Sequence, residues 1–190
     1  MSTTAWIVIA VVVLIVLFAI GVYNRLVALR QVYRNAFADI DVQLKQRHDL
    51  VPNLVETVKG YAAHESGVLQ KVTEARSAAM RAGSLAERSA AEGALSGALG
   101  QLFAVAESYP QLKANENFRA LQDELTDLEN KIAAARRFLN NAVAEYNIAI
   151  QQFPGVLFAN MFGFTPAQMF ELEGAEKAEV SQPPKVSFGA

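Results

Sequence analysis

The sequence predicts an all-α protein. An N-terminal transmembrane helix continues into an elongated antiparallel bundle of about four helices, and a short aromatic-rich C-terminal helix follows. Three observations lead to this reading. Ala5 to Val22 is a run of eighteen uncharged residues, and the first charged side chain is Arg25. Beyond that run, apolar residues recur at spacings of three and four, the period of an amphipathic helix, without strand-like alternation. Neither Gly nor Pro occurs from Tyr23 to Leu50, so the first soluble helix is expected to leave the membrane span without a hinge.

As a helix the apolar run is about 27 Å long, close to a hydrocarbon core of roughly 30 Å. It exceeds the apolar core of roughly 7–15 residues in a secretory signal peptide and has no basic residue ahead of it, so a retained anchor is the better fit. Trp6 and Tyr23 fall where interfacial aromatics belong. Arg25, Arg30 and Arg34 precede the first acid, Asp39. That excess of positive charge places the N-terminus outside and the bundle in the cytoplasm. The same arginines are membrane-interface candidates, each able to contribute on the order of 1 kcal/mol against anionic headgroups. The division expected is a polar N-terminus (1–4), a transmembrane helix (5–23), a bundle domain (24–173) and a disordered polar tail (174–190).

The first soluble stripe is Leu26, Leu29, Tyr33, Phe37, Ile40 and Leu44. A break or kink is expected at His48-Asp49 before Pro52, since proline lacks the N–H of a helix interior. The next stripe, Leu54, Val55, Val58, Tyr61, Ala62, Val68, Leu69 and Val72, is interrupted by Gly60 and Gly67, each costing about 1 kcal/mol relative to alanine. Gly83 ends it, and Ser84 with Glu87 forms a capping box opening a third helix. That helix presents Leu95, Leu99, Leu102, Ala106 and Tyr109, beside Gly93, Gly97 and Gly100, which allow a close neighbour. The clearest periodicity follows: Phe118, Leu121, Leu125, Leu128, Ile132, Ala135, Leu139, Ala142, Tyr146 and Ala149 predict one helix over 115–152. It stops at Phe153-Pro154-Gly155. Thereafter Phe153, Phe158, Met161, Phe162, Phe164 and Phe170 concentrate aromatic and thioether side chains, and Thr165-Pro166-Ala167-Gln168 is expected to form a short capped helix. This cluster either closes the end of the bundle or contacts the membrane or a second copy, as a large exposed apolar patch would.

Little in the chain suggests reaction chemistry. There is no cysteine, which excludes disulfides and thiol catalysis. His48 and His64 lack converging ligands for a metal. No nucleophile elbow and no phosphate-binding glycine loop is present. Asp123, Glu124, Asp127 and Glu129 suit a solvated helix face. The net charge of −2 gives no nucleic-acid footprint. No catalytic, cofactor or metal residue is assigned, and the expected partners are membrane lipids and further copies of the chain.

The stretch from Asp41-Val42-Gln43-Leu44-Lys45-Gln46-Arg47-His48-Asp49-Leu50-Val51-Pro52-Asn53-Leu54 to Gly60-Tyr61-Ala62-Ala63-His64-Glu65 resembles the signature of the LemA family of bacterial membrane proteins. The resemblance continues through Glu107-Ser108-Tyr109-Pro110, Leu121-Gln122-Asp123-Glu124-Leu125, Ala135-Arg136-Arg137, Glu145-Tyr146-Asn147 and Phe162-Gly163-Phe164. One departure is Phe138-Leu139-Asn140, where many members carry a tyrosine before an asparagine. The resemblance implies an N-terminal anchor and a helical bundle, and no established catalytic activity. The leading expectation is a self-associating scaffold that organises or shapes the bacterial inner membrane. The alternative is an adaptor docking a cytoplasmic partner or a membrane protease.

Overall fold

The uninterrupted periodicity after Tyr23 resolves into a single helix, α1 (Thr3–Lys59), which contains the whole apolar run. The computed structural model describes residues 2–170. Five further helices follow: α2 (Ser66–Arg81), α3 (Leu85–Glu107), α4 (Pro110–Lys113), α5 (Glu116–Gln151) and α6 (Gly155–Phe162). The described residues contain no strand. The tail expected to begin at Gly174 lies outside them. The chain divides into two units, and both long helices contribute to each. The first draws on residues up to Asp41 and on Ala134–Met169; the second draws on Val42–Ala133 with Phe170.

Among the described residues, α1 is the one helix long and apolar enough to cross a bilayer, with a mean hydropathy of 3.2 over its most apolar window. Its side chains from Trp6 to Phe18 project away from protein, and Leu14 is 65% exposed. So much unpartnered apolar surface is stable only in a non-aqueous medium. The protein is membrane-associated.

In the second unit, α1, α2, α3 and α5 surround a core that includes Val51, Leu54, Val58, Val72, Leu95, Leu102, Leu112 and Leu125. Cross-contacts give the directions. Arg47 meets Glu129 and Tyr61 meets Asn115, so α1 and α5 run antiparallel. Arg47 meets Ser96 while Glu65 meets Tyr109, so α3 follows the direction of α1. Short connections between successive long helices produce this up-and-down order. The Ser84–Glu87 capping box forms as expected, with Glu87 N donating to Ser84 Oγ (3.2 Å) and Ser84 N to Glu87 Oε2 (2.9 Å). At the start of α5, Asn115 Oδ1 accepts from Phe118 N (2.9 Å).

Three local expectations are corrected. The helix does not break at His48–Pro52. Pro52 cannot donate to the carbonyl one turn back, but that carbonyl, His48 O, accepts instead from Arg76 Nε on α2 at 2.6 Å. The break comes at Gly60, where α1 ends, so the stripe from Leu54 to Val72 is two helices joined by a turn. Gly97 and Gly100 face open space: a Cβ built on either meets no atom within 4 Å.

In the first unit the core is Leu26, Tyr146, Ile150, Ala159 and Phe164, with Tyr33 and Phe158 packed against it. The helix expected at 165–168 does not form. The short helix lies earlier, at α6, and ends on Gly163 in the left-handed region (φ 70°). The next residues are held by α5 instead. Asn147 Oδ1 accepts from Ala167 N (2.8 Å), Asn147 Nδ2 donates to Ala167 O (2.9 Å), and Tyr146 Oη donates to Thr165 O (3.0 Å). Main-chain groups bound this way are not available to a helical turn.

Candidate functional site

The collar where α1 emerges from its apolar run gathers several of the residues singled out by sequence. Gly155 lets the start of α6 close against the end of α5: a Cβ there would sit 2.0 Å from Ala149 O, so only glycine fits, with Leu26 Cδ2 of α1 in ordinary contact at 3.7 Å. From that point α6 runs back along α1 toward the N-terminus, because Phe162 at its far end packs on Tyr23 (ring centroids 4.9 Å). Phe158 and Phe162, one turn apart, stack with their planes 8° from parallel. Tyr23 also meets the edge of Phe164 at 5.9 Å, and the Arg30 guanidinium lies over the Phe164 ring at 4.8 Å, within cation–π range. Between α1 and α6 is a notch of about 250 Å³, lined among the described residues by Ala19, Ile20, Tyr23, Phe158 and Phe162.

The structure therefore splits the predicted contact residues. Phe164 and Phe170 are buried. Phe158 is half-buried at the notch, whereas Phe153, Met161 and Phe162 are exposed, Phe153 at 79%. Of the interface candidates, Trp6 lies within the exposed apolar length of α1, Tyr23 and Arg30 join the collar, and Arg25 and Arg34 are exposed. Arg25, Arg30 and Arg34 have no carboxylate partner among the described residues.

Sequence reading missed a buried polar layer in the second unit. Arg47 is 1% exposed. Its Nη1 donates to Glu129 Oε1 (2.6 Å) and Ser96 Oγ (2.8 Å), and its Nη2 pairs with the Glu92 carboxylate. His48 Nε2 lies 2.9 Å from Glu92 Oε1. Burial alone would raise the Glu92 pKa, but the His48 hydrogen bond and the Arg47 charge outweigh it and hold the carboxyl below its ordinary value. Arg47 Nε and Gln43 Oε1, one turn earlier, make no hydrogen bond among the described residues. With Arg76 on His48 O, all four long helices of the unit meet at this level. Glu129, assigned to a solvated face, is half-buried here. The signal was present in the sequence. Arg47 continues the seam Ile40, Leu44, Arg47, Val51, Leu54, and Glu92 continues the seam Glu92, Leu95, Leu99, Leu102. Opposite charges in two apolar seams point to each other. Removing one member of such a buried ion pair is costly, whereas replacing the whole pair by apolar residues is often neutral. His64 is exposed, and no group of metal-ligating side chains occurs among the described residues.

The model of the LemA family matches residues 36–188. The chain belongs to the LemA family. The match covers the polar layer, the core of the second unit and α6, and begins beyond the apolar run. Among curated proteins, this LemA-family chain is similar to Magnetosome protein MamQ of Magnetospirillum gryphiswaldense, at 26% identity over 85% of this chain and 69% of the relative. It is also similar to Magnetosome proteins MamQ 1 and MamQ 2 of Paramagnetospirillum magneticum, each at 25% identity over the same shares.

Proposed function

We propose that this LemA-family protein is a non-enzymatic scaffold of the bacterial inner membrane, with its N-terminus outside and its bundle cytoplasmic. Copies held in one membrane self-associate laterally and so organise or shape it. The observation that carries this reading is α1 itself, whose apolar side chains from Trp6 to Phe18 are left exposed by the protein. Confinement to two dimensions raises the effective concentration for weak contacts. The contacts between copies fall to apolar side chains that the fold leaves exposed, among them Phe138 and Ile148 on α5. The arginines after the run support the orientation, and the magnetosome proteins it resembles support a role at a membrane.

The chain has no cysteine, which makes a direct test simple. Single cysteines at Phe138 or Ile148 are oxidised in native membranes. Homotypic crosslinked species support the scaffold, whereas one stoichiometric foreign partner and no homotypic product favours the adaptor. A membrane-impermeant thiol reagent added to intact cells should label Ser2→Cys and not His64→Cys; the reverse pattern overturns the orientation.

A further inference from the structure

No charged residue occurs between Glu145 and Glu171. Within that interval α6 packs its small residues, Gly155 and Ala159, inward and leaves larger apolar ones outside. Leu157 and Met161, four apart and so on one face of the helix, are 56% and 74% exposed, and Phe162 is 52% exposed. In water this arrangement is unfavourable. Its position on α1 gives the reason. The Phe162 end reaches Tyr23, and the notch beside it is walled by Ile20 and Ala19, which belong to the apolar run. From Tyr23 to Ala19 is about 6 Å along the helix axis. If Tyr23 marks the interface, α6 enters to a depth within the roughly 5–10 Å at which interfacial helices bury their apolar faces.

We propose that α6 is a lipid-binding wedge: it lies in the leaflet that α1 leaves, and the notch between the two helices seats an acyl chain of an anionic phospholipid. The occupant follows from three features of the site. The notch is wholly apolar and opens beside residues that lie in hydrocarbon, so an acyl chain is the nearest matter to fill it. Two turns beyond Tyr23 along α1, over the Phe164 ring, Arg30 has no carboxylate partner among the described residues and suits a phosphate headgroup. The exposed Leu157–Met161 face continues the apolar surface of the span. This inference rests on the reading that α1 crosses the bilayer and not on self-association.

Trp6 is the sole tryptophan, so single-tryptophan reporters can be read against it. In full-length protein carrying Trp6→Phe, Met161→Trp reports the exposed face of α6 and Phe162→Trp reports the notch. Each is reconstituted into phosphatidylcholine–phosphatidylglycerol vesicles whose acyl chains are brominated either near the headgroup or near the methyl end. Circular dichroism confirms that both reporters retain their helices. The expected result is quenching of both comparable to that of native Trp6, stronger with bromines near the headgroup. The Phe162→Trp reporter should also be quenched more when only the phosphatidylglycerol is brominated than when the same fraction of phosphatidylcholine is. Trp6 quenched with both reporters unquenched and water-like in emission overturns the wedge while leaving the span intact. Blue-shifted, unquenched reporters whose emission depends on protein density overturn it in favour of a second copy covering α6. Equal quenching by the two lipids overturns the anionic assignment. An unquenched Trp6 overturns the span, and the wedge with it.

Discussion

Replacing Arg47 with Met tests the polar layer most directly. The side chain is fully buried, and its loss leaves the Glu92 carboxylate, itself 5% exposed, with His48 as the remaining partner named here. Breaking a buried pair by removing one member costs about 3–5 kcal/mol, a large part of a typical total of about 5–15 kcal/mol. For a chain of this size that lowers the unfolding midpoint by about 6–20 °C, at roughly 2–4 °C per kcal/mol. The assay is thermal and urea unfolding of full-length protein in detergent, followed by far-ultraviolet circular dichroism. If the cost is that of an uncompensated charge, adding Glu92→Leu to Arg47→Met should recover part of the loss, a coupling that a double-mutant cycle reads. The pH dependence has a defined sign. The folded Glu92 pKa is depressed, so its contribution is complete above the unfolded value of about 4.3 and is lost as pH falls through the folded value. The deficit of Arg47→Met should therefore shrink in acid, as Glu92 takes up a proton. A loss below about 1 kcal/mol, the level of a surface pair, or a double variant less stable than Arg47→Met alone, would refute the reasoning.

Three further outcomes are expected. Arg76→Met should cost about 1–3 kcal/mol by stranding the His48 carbonyl, and less when combined with Pro52→Ala, which restores a helix donor; equal costs in both backgrounds in urea melts would show that Arg76 acts otherwise. Gly155→Ala should detach α6, because its Cβ would fall 2.0 Å from Ala149 O; protease cleavage between α5 and α6 should rise sharply, and an unchanged digest would contradict that packing. Asn147→Ala removes both bonds to Ala167, a loss of about 1–3 kcal/mol at typical net values per bond, and should speed amide exchange at Ala167 without affecting the second unit.

Most helices were legible because their signals are local. The seam from Phe118 to Ala149 needs only a period of three and four, and α5 runs where that period runs. The capping box at Ser84 and Glu87 is likewise complete within four residues. The collar was half legible: Phe153 to Phe170 is conspicuous in composition, but nothing local separates Phe164, buried against the first unit's core, from exposed Met161. The misreadings share a cause. Proline at position 52 forecasts a broken or kinked helix because its local cost is fixed; the helix continues, and a compensating donor comes from Arg76, on another helix. The Thr165–Gln168 segment carries helix-start residues, yet Asn147, far back in the chain, claims its main-chain groups.

By itself the sequence determined that α1 carries an uncharged run of bilayer length, that the rest is helical, and where the seams lie, since periodicity and charge are properties of neighbours along the chain. Only the tertiary structure decided that Arg47, Glu92 and Glu129 share one buried layer and that α6 folds back to the last turns of the apolar run. Those pairings join residues remote in sequence, where the cost of burying a charge or exposing a phenylalanine depends on what the other helices bring to the same place.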